Sequence, residues 1–144
     1  MNRIFNTTNS SPFTDLGILL IRLTAGGFML SHGIPKFTRM MGGDWSFADP
    51  IGLGEPVSLI LTIIAEALCP LLLIVGLGTR VAALFPAVVM AVAGFIVHSD
   101  DPVGKRELVF IYLAVFIALS LLGSGKYSID HRIATKGFEK AGAA

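Results

Sequence analysis

The sequence predicts an all-α protein, a membrane-embedded four-helix bundle. Hydrophobic residues make up 53% of the 144 residues and charged residues only 15%, whereas charged residues supply about a quarter of a typical soluble domain. The apolar residues are gathered into four long runs, and about 20 residues of helix cross the hydrocarbon core of a bilayer. Inside that core only helices and closed barrels satisfy their backbone hydrogen bonds, so each run is predicted to be a helix.

The predicted helices cover about 15–34, 57–77, 81–98 and 107–122. The first ends near Pro35, because proline disfavours continuation of a helix. The glycine-rich loop that follows contains Trp45 and is expected to lie at the membrane interface. The second helix contains Pro70, and the short turn beginning at Gly76 pairs it with the third as an antiparallel hairpin. The fourth ends at a Gly-Ser-Gly sequence.

The chain is predicted to be a single domain, residues 1–144, with a short tail at each end. Its charged residues and its cysteine content limit the partners and the chemistry it can have. A net charge of +1 without a basic stripe excludes nucleic-acid binding, and the single cysteine, Cys69, excludes an intrachain disulfide or a redox cysteine pair. Six lysines and arginines lie on the side of the two termini and four on the opposite side. Because cytoplasmic loops are enriched in these residues, both termini are expected in the cytoplasm.

Arg22 and Glu66 are charged residues within the predicted membrane-spanning helices. Counting 1.5 Å per residue from the same membrane face places Arg22 about 10 Å deep and Glu66 about 16 Å deep. A charge at the centre of a spanning helix costs roughly 2.5–3.5 kcal/mol on insertion scales. We therefore expect Arg22 and Glu66 to form an intramembrane charge pair, which either pins the first helix to the second or serves as a ligand anchor or charge relay.

A second polar cluster is expected where the first and third helices end. His32 and Lys36 are four residues apart and share one face if the helix continues through Pro35. His98 ends the third helix, and Glu107 begins the fourth. These four residues are candidates for a ligand-binding mouth. A quinone suits it, because its carbonyl oxygens accept hydrogen bonds from histidine or lysine while its tail lies along apolar helices.

Haem and metal ions suit this mouth less well. Two histidines on different helices could ligate haem iron, but both lie at helix ends, outside any run typical of haem proteins. Two histidines and a carboxylate could hold a metal ion, but the nearby Lys36 disfavours one. Each histidine taken singly is more simply an interfacial residue wetted by headgroup water. We predict no metal site and no catalytic residue, and quinone remains a candidate ligand.

Three segments resemble the DoxX family of four-helix membrane proteins. The first, LLIRLTAGGFMLSHGIPKF, has a helical arginine followed about ten residues later by a His-Gly-x-x-Lys signature. In EALCPLLLIVGLGTRVAAL, an acid-bearing helix runs into Gly-Leu-Gly-Thr-Arg. In KRELVFIYLAVFIALSLLGSGKYSID, an acid-led helix closes on a Gly-x-Gly-x-Tyr-Ser-x-Asp turn. The similarity covers about residues 15 to 130, with order, spacing and layout in agreement.

The resemblance implies a redox-associated subunit of the bacterial inner membrane. DoxX-like proteins include relatives of the membrane subunit of thiosulfate:quinone oxidoreductase and partners in a mycobacterial membrane-associated oxidoreductase complex. Such a subunit would bind quinone or a similar small ligand and dock a partner protein or a second copy. The polar positions that match the family are Arg22, His32, Lys36, Glu66, His98 and Glu107. Because the chain has no flavin motif, catalysis by this chain alone is not expected.

Two alternatives remain open at this point. A small proton-coupled transporter would use a buried carboxylate such as Glu66 to exchange a proton for a cation. A structural or assembly subunit would use its intramembrane charges to fix the helix register and its outer loops to hold a partner protein.

Overall fold

The computed structural model describes the backbone of residues 11–142 and the side chains of residues 11–136. Every regular element in this part of the chain is a helix, which confirms the all-α prediction. The helices are α1 (Pro12–Met41), α2 (Glu55–Val75), α3 (Thr79–Val97), α4 (Val103–Leu122) and α5 (Ile129–Gly142). The predicted N-terminal tail, residues 1–10, lies outside the described residues.

Helices α1, α2 and α3 are each long and apolar enough to cross a membrane. Helix α4 has 20 residues, but Lys105, Arg106 and Glu107 lie near its start. The apolar part that follows, residues 108–122, is about 22 Å long at 1.5 Å per residue. This is shorter than a typical hydrocarbon core of about 30 Å, so the charged start of α4 belongs at headgroup depth. The chain is an integral membrane protein.

The first four helices form a closed ring around one hydrophobic core. Each helix packs on its neighbours in the chain, and α4 returns to contact α1. The most extensive contacts are those of α1 with α2 and of α3 with α4. Helix α3 contributes Ala82, Ala83 and Ala87 to the core, and small residues of this kind allow helix backbones to approach closely in a membrane. Met29, Leu73 and Phe116 are among the largest core side chains.

Helix α1 is longer than the predicted 15–34, because Pro35 lies inside it and does not end it. The helix starts with Ser11 as its N-cap, where the hydroxyl oxygen accepts a hydrogen bond from the amide of Thr14 at 3.3 Å. Proline inside a helix removes one backbone hydrogen bond, a loss that membrane helices tolerate when their neighbours compensate. The continuation past Pro35 carries Lys36 along the helix towards α2.

Helix α2 widens into a π-helical turn at Ile64–Leu68. The amide of Cys69 donates to the carbonyl of Ile64, five residues earlier, while Pro70 has no amide to donate to the carbonyl of Glu66. Gly33 of α1 packs directly against this turn, because a Cβ atom at position 33 would overlap the carbonyl of Glu66. Close contact between α1 and α2 at this depth therefore depends on a glycine.

The segment after α4 is not the simple basic tail that the sequence suggested, since it forms α5. The carboxylate of Asp130, in the first turn of α5, accepts hydrogen bonds from the amides of Gly78 at 2.7 Å and Thr79 at 3.1 Å. The amide of Asp130 donates to the carbonyl of Gly76 at 2.9 Å. Helix α5 is thereby fixed to the turn between α2 and α3.

The loop between α1 and α2 is organised by Asp49. Its carboxylate accepts hydrogen bonds from the amides of Leu53 at 2.9 Å and Gly54 at 2.8 Å and from the hydroxyl of Ser58 at 2.9 Å. These bonds, led by the one from Gly54, hold the pKa of Asp49 below its usual value. The carboxylate of Asp49 thus joins the loop that carries Trp45 to the start of α2, and the carboxylate of Glu55 adds a second link by accepting a hydrogen bond from the amide of Phe47 at 3.2 Å.

We expect Gly33→Ala to destabilise the bundle by about 1–3 kcal/mol, the usual cost of overpacking a core. Gly27→Ala on the same helix is the matched control, because a Cβ atom there meets nothing within 4 Å. The control should be neutral or stabilising by about 0.5–1 kcal/mol. Thermal unfolding in detergent, followed by circular dichroism, measures both. Equal melting temperatures for the two variants would contradict the close contact at Glu66.

We expect Asp49→Asn to loosen the loop at neutral pH, because the amide lacks the charge and one acceptor oxygen. In the wild-type protein the contribution of Asp49 is complete above its unfolded-state pKa of about 4. It is lost as the pH falls through the lower folded-state pKa. Trp45 is the only tryptophan, so quenching of its fluorescence by acrylamide measures how accessible the loop is to solvent. Asp100→Asn in the loop between α3 and α4 should leave this quenching unchanged, and so should acidification of the wild type to pH 5.

Candidate functional site

Arg22 is completely buried, with 1% of its surface exposed, and all its hydrogen bonds go to backbone carbonyls. Its Nε donates to Leu73 at 2.7 Å, and its Nη2 donates to Ile74 at 2.9 Å. Its Nη1 donates to Ser124 at 2.6 Å and to Tyr127 at 3.0 Å. The planar guanidinium thus joins α1 to the end of α2 and to the turn that follows α4.

The positions of these carbonyls explain how a cation is tolerated here without a hydrogen bond to a carboxylate, although the charge of Asp130 also acts on it. Leu73 and Ile74 belong to the last turn of α2, where carbonyls lack their full set of intrahelical partners and carry the negative end of the helix dipole. Gly76 follows with φ 72°, and a Cβ atom there would overlap the guanidinium of Arg22. The expected charge pair between Arg22 and Glu66 is therefore wrong, because Arg22 is satisfied by helix-end carbonyls.

Asp15 gives this end of the bundle a second link between α1 and the turn after α4. It is 1% exposed, and its carboxylate accepts a hydrogen bond from the amide of Lys126 at 3.1 Å. The Nζ atom of Lys126 also lies 3.6 Å from the same carboxylate. Neither Asp15 nor Asp130 is among the predicted site residues. Their positions in the sequence could have indicated a role, because Asp15 lies at the start of the first helix and Asp130 closes the Gly-x-Gly-x-Tyr-Ser-x-Asp turn.

Glu66 forms an ion pair with Lys36 inside the bundle. The carboxylate of Glu66 accepts a hydrogen bond from Nζ of Lys36. The side chain of Glu66 is 6% exposed and that of Lys36 is 26% exposed. Glu66 lies in the π-helical turn near the middle of α2, and Lys36 reaches it because α1 continues past Pro35. The cation that neutralises Glu66 is thus Lys36, two residues beyond the predicted end of the first helix.

His32 of α1 forms an aromatic contact with Tyr112 of α4. His32 is one turn before Lys36 on α1, and its ring meets that of Tyr112 edge-on, with centroids 6.4 Å apart. Tyr112 stacks in turn on Phe116 of the core, at 6.0 Å between centroids and 16° between planes. We call His32, Lys36, Glu66 and Tyr112 the Lys36 site. Tyr112 was missed, although it is the one hydroxyl-bearing ring in the apolar run of α4.

His98 and Glu107 do not join the Lys36 site. Nδ1 of His98 lies 2.7 Å from a carboxylate oxygen of Asp101, within its own loop. This hydrogen bond is the main reason that the pKa of Asp101 is below its usual value. Glu107 is exposed near the start of α4. Among residues 11–136, no hydrogen bond or ion pair connects His98 or Glu107 with His32 or Lys36. The common mouth of His32, Lys36, His98 and Glu107 thus stays a prediction, of which the structure shows only Lys36 in a direct ion pair with an intramembrane acid.

An apolar cavity of about 390 Å³ lies between α2, α3 and the loop that joins α1 to α2. Ser58 and Thr62 are its only hydroxyl-bearing residues, and no ionisable side chain lines it. Ala65, next to Glu66 in the chain, belongs to its wall, but no member of the Lys36 site does. This cavity suits a hydrocarbon chain rather than a polar head group.

We expect Arg22→Lys to lower the free energy of unfolding by about 3 kcal/mol. Lysine has a single ammonium and cannot reach the carbonyls of both α2 and the turn after α4, and each hydrogen bond from a charged donor contributes about 1.5–3 kcal/mol. Arg39→Lys is the matched control, since the side chain of Arg39 is 44% exposed and its ion pair contributes about 0–1 kcal/mol. Chemical denaturation in mixed micelles compares the two, and similar midpoints would contradict this role for Arg22.

Comparison with known proteins agrees with this architecture. Residues 17–99 match the family model DoxX. A Bacillus subtilis protein named "Putative oxidoreductase CatD" is 30% identical over 81% of this chain and 86% of its own length. The Escherichia coli "Inner membrane protein YqjF" is 29% identical over 85% of this chain and 95% of its own.

An uncharacterized Haemophilus influenzae protein is 28% identical over 89% of this chain and 98% of its own length. No solved structure matches the chain. The family model covers more than half of the 144 residues, including Arg22 and the two charged members of the Lys36 site. The chain belongs to the DoxX family.

Proposed function

We propose that this protein is a redox-associated membrane subunit that binds a quinone, or a small ligand with the same carbonyl chemistry, at the Lys36 site. The observation that carries the proposal is a carboxylate buried in the bundle and paired with a lysine that remains partly exposed. Buried ionisable groups in a membrane are costly and mark functional sites by default. The partial exposure of Lys36 leaves an approach to the charged pair.

The chemistry of the Lys36 site matches a quinone head group. Lys36 has three N–H donors and shares one with Glu66, so further donors remain for a carbonyl oxygen. A ring N–H of His32 supplies a second donor one turn away, and Tyr112 offers an aromatic surface for a planar ring. The reduction of a quinone to a quinol takes up two electrons and two protons, which in this proposal come from a partner protein and from water respectively.

The electrons would come from a partner protein. The sequence has no flavin motif and only one cysteine, so the electron donor in this proposal is a separate protein that carries its own cofactor. The name of the Bacillus subtilis relative, which includes the word oxidoreductase, supports a redox context. We place the chain in the bacterial inner membrane with both termini in the cytoplasm, as the Escherichia coli relative's name and the six-to-four distribution of basic residues favour.

The two alternatives account for less of the structure. A proton-coupled transporter needs a carboxylate free to exchange a proton for a cation, whereas Glu66 is held by Lys36. A purely structural subunit is consistent with the carbonyl contacts of Arg22. It does not account for the Lys36 site, because well-packed apolar residues often stabilise a protein as well as a buried ion pair does.

The proposal is tested by measuring binding of a short-chain benzoquinone to the full-length protein in nanodiscs. We expect Lys36→Met to weaken binding by about tenfold or more, because a hydrogen bond from a charged donor contributes about 1.5–3 kcal/mol. Glu66→Gln should also weaken binding, since Lys36 then loses the partner that orients it. Lys105→Met and Glu107→Gln are the matched controls, because both side chains are exposed near the start of α4.

Thermal unfolding of each variant shows whether it is folded. A folded Lys36→Met or Glu66→Gln protein that binds the benzoquinone as tightly as the wild type would contradict the proposed site. Equal weakening in the two controls would show that the effect is not specific to the buried pair.

A further inference from the structure

The start of α5 encloses a second pocket, of about 400 Å³, at the end of the bundle where α2 and α4 end. It lies away from the Lys36 site and shares no residue with it. We call it the α5 pocket. The residues that line it are Val75, Lys126, Tyr127, Ser128, Ile129 and Arg132.

The position of the α5 pocket along the bundle corresponds to the headgroup layer of the bilayer. Val75 is the last residue of α2, and the pocket residues that follow α4 begin four positions after its last residue, Leu122. The apolar helices end here, so the phosphate groups of lipids lie at this depth. Tyr127 is 54% exposed, and tyrosine is enriched at this membrane boundary.

The charges around the α5 pocket favour an anion. Lys126 and Arg132 provide two cations, of which Lys126 lies near Asp15 at 3.6 Å. The side chain of Arg132 is exposed and makes no hydrogen bond or ion pair within residues 11–136. The neighbouring carboxylate of Asp130 is 3% exposed and already accepts two amide hydrogen bonds from the start of α3. The accessible charge in the pocket is therefore positive.

The apolar surface beside these cations favours a lipid over a free anion. Val75 and Ile129 form part of the pocket wall and are 45% and 39% exposed. One turn further along α5, Ile133 is 52% exposed. Arg132 and Lys136, also one turn apart, form a basic edge on the same helix. An amphipathic helix with an apolar edge and a basic edge is typical of segments that lie in the membrane interface.

We propose that the α5 pocket binds the headgroup phosphate of an anionic phospholipid. Arg132 and Lys126 contact the phosphate, while Val75 and Ile129 contact the glycerol and the first acyl carbons. The carbonyl of Tyr127 also accepts a hydrogen bond from Nη1 of Arg22, at 3.0 Å. A lipid that orders this turn therefore also strengthens the contact between α1 and the end of α4, so bound lipid raises the thermal stability of the bundle.

The test uses the delipidated full-length protein in a neutral detergent, with phosphatidylglycerol as the probe. Native mass spectrometry counts bound lipid, and thermal unfolding measures the stabilisation. We expect one phosphatidylglycerol to bind with preference over phosphatidylcholine and to raise the melting temperature. Arg132→Gln should reduce its affinity about fivefold, as expected for one basic residue at a membrane surface, and this loss should shrink at high salt.

Lys105→Gln is the matched control, because Lys105 is 72% exposed and lies near the start of α4, away from the α5 pocket. It should bind phosphatidylglycerol like the wild type. Equal affinity of Arg132→Gln and the wild type would overturn the proposal. So would equal stabilisation by phosphatidylcholine, which would indicate general solvation by lipid. Saturation of the effect by inorganic phosphate alone would also overturn it, since the apolar wall would then contribute nothing.

Discussion

The arrangement of this bundle depends on how one buried guanidinium is satisfied. Arg22 donates to carbonyls at the end of α2 and in the turn after α4, so three separate parts of the chain meet at one side chain. Burying a charge without such partners would cost several kcal/mol. Other features follow from this requirement: position 76 must be a glycine to leave room, and Asp130 fixes the adjacent turn so that the carbonyls of α2 stay in place.

Much of the fold could be predicted from hydropathy, because lipid demands long apolar helices with internally satisfied backbones. The ends of the helices could not be predicted in this way. Proline usually marks the end of a helix in water, but α1 continues through Pro35. That continuation brings Lys36 to Glu66. The polar average composition of the segment after α4 predicts a tail, whereas the structure has helix α5 there. The spacing of Ile129 and Ile133 by four residues was the signal of an amphipathic helix.

The candidate residues were easier to predict than their partners. The cost of charge in a membrane correctly selected Arg22 and Glu66 as residues that need partners, and a spacing of four residues selected His32 and Lys36. Their pairing was wrong because counting residues gives depth along a helix but not direction around it. The predicted pairing also treated only side chains as possible partners, whereas the last carbonyls of a helix are equally good acceptors for an arginine. A sequence does not show which backbone groups remain unpaired until the helix ends are known.

The two intramembrane cations, Arg22 and Lys36, suit different roles, one structural and one in ligand binding. Arginine keeps its proton under all physiological conditions and presents a rigid fork of donors, so it suits a contact such as that of Arg22, which joins several backbone carbonyls. Lysine is a flexible point charge that gives up its proton more readily when buried. We therefore propose that a ligand contacts the pair formed by Lys36 and Glu66 rather than Arg22. The guanidinium of Arg22, already bonded to four carbonyls, has little left to offer a ligand.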